Sequence, residues 1–399
     1  MNNKTCPSPE PLQSVIGTII FLTTLFFLSF IGRFIFVPLM PSISDDLGIS
    51  PSQAGSIFLF GSLGVAIGSL ASGFISSRIN HRGSLIISVL GGGIVLAGCV
   101  FLSSLSAIRF AMALLGIAAG MNLPSSTAII AAIVNQPDWG KAMSIHQTAP
   151  PLSLILGPIL SVILLPWISW RMILACIAAV AICTALVLLG FGRFGNFPGD
   201  QPSVSNIKLV FSRRSFWIMI ILLAFGISGH VGIYTMIPFY LISEKGMDAP
   251  LANTLIGLSQ VSTFFMSFFG GWITDRLGEK RTIVLFLLIT GSITVSLGIL
   301  SGTWLKIAVF LEPAAAVCFF PAAFTALSRI VQPNIRSLAT SWAMPIAFII
   351  GGGLLPTALG YMGETFSFGL GISIVGILIM LSSSFVVFLE LLDKLEEGC

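Results

Sequence analysis

Long apolar stretches dominate this sequence and constrain its fold more than any other feature. Twelve windows of about 20 mostly apolar residues can be placed along the 399 residues. A window of that length crosses the roughly 30 Å hydrocarbon core of a bilayer as an α-helix. Because the runs are continuous and not alternating, they predict helices and exclude a transmembrane barrel. The windows are 15–40, 52–76, 84–104, 107–133, 142–165, 170–191, 216–242, 251–274, 282–301, 304–328, 337–360 and 367–391.

Charged residues are too scarce for a soluble or disordered chain. They make up 9% of the sequence, and apolar residues make up 55%. Soluble domains carry about 25% charged residues, and disordered chains combine low hydrophobicity with high charge. The net charge of +4 is weak evidence for a nucleic-acid partner, since basic loops at a membrane surface account for it. The composition therefore predicts a polytopic membrane protein whose partners are lipid and a small-molecule substrate.

One polar stretch, 192–215, divides the twelve windows into six and six. We therefore predict an N-terminal tail at 1–14, a six-helix bundle at 15–191, a linker at 192–215, a second six-helix bundle at 216–391 and a C-terminal tail at 392–399. With the N-terminus placed in the cytoplasm, fourteen of the 19 Lys and Arg residues fall on the cytoplasmic side. This asymmetry predicts that both termini and the linker are cytoplasmic. The short loops are typical of a bacterial inner-membrane protein.

The two halves of the chain repeat each other. Helix breakers and loop charges recur at offsets of 195 to 200 residues, as in the pairs Pro38 and Pro238, Arg78 and Arg276, and Pro150 and Pro345. Such a repeat predicts an all-α protein of two pseudo-symmetric six-helix bundles. In proteins of this kind the substrate site lies between the repeats near the middle of the membrane, and the repeats rock to give alternating access.

A loop motif links the sequence to a known family. The segment from Gly271 to Arg281 reads GWITDRLGEKR and resembles the signature G-x-x-x-D-R-x-G-x-K/R-K/R of the major facilitator superfamily. The first copy, from Gly73 to Arg82, departs from the pattern, with Ser77 in place of the acid and Asn80 in place of the glycine. The resemblance implies a secondary transporter that works as a monomer, with helices 1, 4, 7 and 10 around a central cavity. It also implies a cytoplasmic gate formed by Asp275, Arg276, Gly271, Gly278 and Arg78.

Two charged residues, Arg33 and Glu312, lie well inside the predicted spans, where each is costly and therefore a functional candidate. Arg33 lies roughly 7 Å outward of the middle of span 1, and Glu312 roughly 6 Å outward of the middle of span 10. Three interpretations remain open: a structural ion pair, a working site, or a side chain that reaches the interface. In a working site Arg33 would bind an anionic group, since its planar fork matches a carboxylate. Glu312 would then lose its counter-charge and take up a proton, which couples protons to substrate as in a symporter.

Several polar or aromatic residues in the predicted spans are further candidates for substrate contact. His230 and Tyr234 lie in a glycine-rich part of span 7 that weakens the helix, although a packed histidine is an equal alternative. His146 near the cytoplasmic end of span 5 fits a gate or a packing role better than binding. The remaining candidates for substrate contact are Asn122, Gln260 and Trp342.

Other classes of function fit less well. The sequence has three His residues and six Cys without metal-ligand spacing, and it has no H-E-x-x-H, no G-x-S-x-G and no P-loop. It therefore lacks the groups for hydrolytic, metal or ATP-driven chemistry. We predict a transporter that is not an enzyme, needs no cofactor and is driven by H⁺. The alternative is a proton-coupled exporter of drugs or lipophilic cations, because Gly157–Pro158 resembles the glycine–proline motif common in such proteins.

Overall fold

The computed structural model describes residues 9–192, 194–199, 204–332 and 336–391, and they form helices almost throughout. Ten of the helices in these ranges are long and apolar enough to cross a membrane. The helix Pro51–Cys99 counts as two, because its backbone turns sharply at Asn80. A further helix, Ala249–Leu277, has 29 residues and is less apolar because it is rich in Ser and Thr. The twelve predicted helices and the all-α class are thereby confirmed.

We number the twelve helices in chain order. They are α1 (Leu12–Leu47), α2 (51–79), α3 (81–99), α4 (Leu105–Ile133), α5 (Gln136–Leu164), α6 (Trp170–Phe191), α7 (Arg214–Glu244), α8 (Ala249–Leu277), α9 (Glu279–Ile299), α10 (Gly302–Arg329), α11 (Leu338–Thr365) and α12 (Phe368–Phe388). The predicted linker contains a short helix of its own, Val204–Phe211, which we call the linker helix. The predicted tails lie largely outside the described residues.

Several helices deviate from regular α geometry, among them α1, α7 and α11. Helix α1 is interrupted at Ile35, between Leu12–Phe34 and Phe36–Leu47. Helix α7 contains π-helical turns at Ser228–Gly232 and Tyr240–Glu244, and α11 contains one at Ile350–Leu354. Single π turns inside α-helices are rare and occur often at functional sites. The turn at Ser228–Gly232 falls in the glycine-rich segment that the sequence predicts to be weak.

The chain folds as two compact units. One consists of Met1–Phe36 and Leu63–Pro202, and the other of Val37–Ser62 and Ser203–Cys399. The segment 37–62, which the sequence repeat assigns to the first bundle, therefore belongs with the second unit. Within that unit the Asn253 side chain donates to the Pro38 carbonyl oxygen at 3.5 Å, and the Ser52 backbone N–H donates to the Glu364 carboxylate at 2.5 Å. These long-range hydrogen bonds connect the segment to α8 and α11.

Apolar packing holds the first unit together around α1. Its core contains fully buried residues of five helices, among them Leu22 of α1, Leu85 of α3, Ile129 of α4, Ala142 of α5 and Ala185 of α6. In the second unit, α9 and α12 pack so closely that a methyl group built on Gly376 would lie 2.6 Å from the Gly291 carbonyl oxygen. Each unit is thus held by its own helix–helix contacts.

The two copies of the loop motif have the same backbone geometry, although their sequences differ. Asn80 has φ 66° and ψ 167°, and Gly278 has φ 78° and ψ 165°. This region of backbone space is nearly restricted to glycine, because a Cβ atom crowds the chain there. Asn80 therefore holds a strained conformation where the second copy has a glycine. The segment is kept in place by backbone bonds to the start of the linker, including Arg82 N–H to the Gly195 carbonyl oxygen at 2.9 Å.

Replacing Asn80 by glycine is expected to stabilise the protein. Removing the Cβ strain gains about 1–3 kcal/mol, and the extra freedom of glycine in the unfolded chain costs about 0.5–1 kcal/mol. A net gain of about 1 kcal/mol corresponds to a Tm increase of about 2 °C, measurable by thermal unfolding of the detergent-purified protein. The reciprocal variant Gly278→Asn should lower the Tm. A Tm for Asn80→Gly at or below that of the parent would contradict the strain argument.

Candidate functional site

Arg33 lies in the last turn of the first segment of α1, on a surface of aromatic rings. Its guanidinium carbon is 5.6 Å from the centre of the Phe30 ring and 5.1 Å from that of Phe34, and the two rings stack at 4.8 Å. The side chain is half-buried. Within the described part of the chain, no ion pair or hydrogen bond engages the guanidinium. The rings hold the cation in place while its N–H groups remain available for a ligand.

Glu312 is buried inside the second unit. Its side chain in α10 is only 3% exposed, and its Oε1 atom has no hydrogen-bond partner among the described residues. The Thr294 side chain of α9 contacts the carboxyl group, and Gly229 in the π turn of α7 lies close to Oε1. The Thr294 hydroxyl also donates to the Thr290 carbonyl oxygen at 2.8 Å, and no cationic side chain pairs with the carboxyl group among the described residues. This environment suits a carboxyl group that carries a proton.

The π turn of α7 connects Glu312 to a second titratable residue. Gly229 faces Glu312, and the next residue, His230, points its ring at Phe320 of α10 with the ring centres 5.9 Å apart. The His230 Nδ1 atom is buried without a hydrogen-bond partner in the described structure. Tyr234, one turn further along, is buried, with 3% exposed. The structure thus places His230 next in the chain to a residue that faces Glu312, within the second unit.

Asn122 lies at a junction between three helices of the first unit. Its side-chain NH₂ contacts the Leu25 carbonyl oxygen and the hydroxyl groups of Ser29 and Ser88, and its oxygen accepts from Ser126 at 3.0 Å. The residue is completely buried. Every polar position of the amide is therefore used to connect α1, α3 and α4. This geometry gives Asn122 a structural role, and substrate contact by Asn122 stays a prediction.

The two other polar or aromatic candidates lie in the second unit. Trp342 of α11 packs edge-on against Phe211 of the linker helix, with ring centres 5.2 Å apart. Gln260 of α8 is 2% exposed, and its Oε1 atom has no partner among the described residues. The contact with the linker helix gives Trp342 a packing role. Substrate contact by Gln260 stays a prediction.

The predicted gate residues lie at the ends of α2 and α8. Asp275 and Arg276 are exposed, and the Arg276 guanidinium lies 4.2 Å from the centre of the Trp272 ring. Arg78, in the first copy, is exposed at the end of α2, and Gly278 supplies the turn into α9. Gly271 lies one turn before Asp275 with open space around it. The roles of these residues in gating stay a prediction.

His146 packs inside the first unit. It is fully buried, its ring stacks on Phe26 at 4.8 Å with an interplanar angle of 3°, and neither ring nitrogen has a hydrogen-bond partner in the described structure. Of the two roles predicted for it, the geometry supports packing against α1.

One ion pair near the loop motif was not predicted from the sequence. Glu279 in the first turn of α9 binds Arg329 in the last turn of α10 at 2.8 Å, with both side chains mostly buried. An acid at a helix N-terminus and a base at a helix C-terminus are each favoured by the helix dipole. The sequence shows an acid at the start of α9 and a base at the end of α10, but their pairing depends on the antiparallel packing of the two helices.

Comparison with known proteins identifies the family. The profile of the Major Facilitator Superfamily matches residues 22–356 and 246–397. The chain therefore belongs to this superfamily of membrane transporters, and it is not an enzyme. The resemblance seen in the loop motif is confirmed.

Relatives of known name are distant but cover most of the chain. The gallate transporter of Pseudomonas putida is 26% identical over 367 residues, which cover 80% of this chain and 81% of the relative. The chloramphenicol resistance protein CraA of Acinetobacter baumannii is 26% identical over 317 residues, covering 73% and 72%. A solved structure of a bacterial homolog to the human lysosomal transporter Spinster shares the fold, with a TM-score of 0.79, 17% identity and coverage of 96% and 97%.

Proposed function

We propose that this transporter is a proton-coupled symporter for small organic anions, and specifically for aromatic carboxylates. The observation that carries the proposal is Arg33, a guanidinium inside a membrane helix whose N–H groups are free in the described structure. A planar guanidinium binds a carboxylate through two parallel hydrogen bonds. The adjacent rings of Phe30 and Phe34 offer an aromatic surface to the rest of the ligand. The similarity to a gallate transporter supports the same class of substrate.

Glu312 is the proposed proton-binding residue. Its carboxyl group is buried among α7, α9 and α10 without a cationic partner in the described structure. A charged group in the membrane interior is costly, so binding and release of a proton there changes the energy of the second unit by several kcal/mol. Such a residue responds to a proton gradient. We place the protein in the bacterial inner membrane, with both termini in the cytoplasm.

Replacing Arg33 tests the substrate class. For purified protein in proteoliposomes with an imposed proton gradient, we expect Arg33→Ala to lower kcat/KM for gallate or benzoate uptake by about 10- to 100-fold. That range corresponds to the loss of a charge-assisted interaction of about 1.5–3 kcal/mol. Arg33→Lys should retain part of the activity, because lysine keeps the charge but not the fork. The exposed base Lys306 serves as a control, and Lys306→Ala should transport like the parent.

A proton-coupled drug exporter is the second candidate. It is favoured by the similarity to CraA and by Gly157–Pro158, which lies inside α5 with Gly157 against the backbone of Phe34 and Ile35. In cells expressing the protein, this function predicts raised resistance to chloramphenicol or to lipophilic cationic dyes. If the parent protein takes up no carboxylate and Arg33→Ala changes drug resistance, the exporter function would replace the symporter proposal.

A further inference from the structure

A groove opens on the second unit between the start of α9 and the end of α12. Its volume is about 540 Å³, and six apolar side chains line it together with two bases, Lys280 and Arg281. The apolar residues are Leu277, Val284, Leu285, Leu288, Val386 and Val387. The last two belong to the 3₁₀ turn Ser383–Phe388, which ends α12. Val387 is 81% exposed, so the groove faces the surroundings of the protein.

The bases and the apolar residues are arranged in sequence along α9. Arg281, Val284, Leu285 and Leu288 recur at helical spacing, so they lie on one face of the helix. From Arg281 to Leu288 this face extends about 10 Å along the helix axis. The bases lie at the helix end that is predicted to face the cytoplasm, and the apolar part extends from there into the membrane. A positive end followed by an apolar channel matches a phospholipid with an anionic headgroup.

The charges at this groove are not neutralised by the described part of the chain. Glu279, the neighbouring acid, is bound to Arg329 at 2.8 Å. Lys280 and Arg281 are exposed and have no hydrogen-bonding or ion-pair partner among the described residues. Arg214, whose guanidinium lies 5.2 Å from the ring centre of Phe388, is a further base next to the 3₁₀ turn that ends α12. The groove therefore carries positive charge at the start of α9 that no described acid pairs with.

We propose that this groove binds an anionic phospholipid, with the phosphate at Lys280 and Arg281 and an acyl chain along the apolar face of α9. Basic pockets between membrane helices on the cytoplasmic side recognise anionic headgroups. The apolar walls of the groove contact the acyl chain and keep it out of water near the exposed start of α9. This site is separate from the transport function proposed above, because it involves neither Arg33 nor Glu312.

Lipid binding can be measured directly on the intact protein. We expect native mass spectrometry to retain phosphatidylglycerol in preference to phosphatidylcholine. Each base near an anionic surface contributes about a fivefold gain in affinity, so the double variant Lys280→Ala/Arg281→Ala should bind phosphatidylglycerol about thirtyfold more weakly. A matched control, Lys208→Ala/Lys306→Ala, removes the same charge at exposed positions outside the groove and should bind like the parent. Val284→Trp, which fills the apolar channel, should also weaken retention.

Two results would overturn the proposal. One is equal retention of phosphatidylglycerol by the groove variant and its matched control. The other involves the C-terminal tail, which carries Asp393, Glu396 and Glu397. If deletion of 392–399 removed the difference between the groove variant and its control, the two bases would act through the tail and not on the lipid. A difference that persists in the shortened chain supports the lipid site.

Discussion

Glu312→Gln is expected to abolish proton-driven accumulation of substrate while leaving exchange across the membrane. Glutamine has the shape of a protonated glutamate but cannot release a proton. The variant therefore keeps the packing of the buried side chain against Thr294 and next to Gly229, and it loses only the change of charge. In proteoliposomes the accumulation ratio under an imposed proton gradient should fall to about one, because an uncoupled carrier only equilibrates its substrate.

Counterflow is the measurement that separates loss of coupling from loss of folding. Proteoliposomes preloaded with unlabelled substrate should take up labelled substrate through Glu312→Gln at a rate similar to that of the parent. The control is Glu390→Gln, the same chemical change at an exposed position, and it should keep full accumulation. Thr294→Val removes the hydroxyl that contacts the carboxyl group and should change the pH dependence of uptake without abolishing it. Undiminished uphill uptake by Glu312→Gln would exclude this residue from coupling.

Gly376→Leu is expected to prevent correct folding of the second unit. A Cβ atom on Gly376 would lie 2.6 Å from both the Gly291 carbonyl oxygen and the Val295 backbone nitrogen. These are backbone atoms of α9, so they cannot move aside as a flexible side chain would. Small residues allow membrane helices to approach closely, and this packing replaces the hydrophobic driving force that is absent between helices in lipid. Separating α9 from α12 should cost more than about 3 kcal/mol, a large part of a total stability of about 5–15 kcal/mol.

The yield of monodisperse protein in size-exclusion chromatography, together with its Tm, measures this effect. Gly376→Leu should give little folded protein, and Gly376→Ala should lie between it and the parent. Gly98→Leu in α3 is the matched control, since Gly98 is exposed with open space around its Cβ position. A Gly376→Leu protein as stable as Gly98→Leu would show that α9 and α12 tolerate separation.

Much of the fold could be predicted because hydropathy and helix breakers are local signals. Apolar windows located the helices, and the repeat of prolines and loop charges indicated two halves. The segment 37–62 shows where that reasoning ends. The apolar pattern of this segment does not tell which unit it packs on. Its assignment depends on hydrogen bonds such as Ser52 to Glu364, which join residues more than 300 positions apart. Of the two π turns in α7, the sequence indicated only the one around His230, through its glycine-rich stretch.

The sequence named candidate site residues but not the neighbours of those residues. Arg33 and Glu312 were recognisable because charges inside apolar windows are costly. Asn122 was a further candidate as a polar residue in a predicted cavity helix, and the structure surrounds its amide with hydrogen-bond partners from α1, α3 and α4. A polar residue in a membrane helix is a candidate for function or for helix association, and only its contacts distinguish the two.

By itself the sequence determined that this protein is a twelve-helix membrane transporter and which charged residues fall well inside its apolar windows. Those properties depend on the free energy of placing each residue in lipid, which is a sum over local composition. The tertiary structure alone decided that Glu312 lies against Thr294 and the π turn of α7, that Glu279 pairs with Arg329, and that Lys280 and Arg281 stand at the end of an apolar groove. These facts depend on which helix faces meet, and helix–helix packing brings together residues that no local pattern relates.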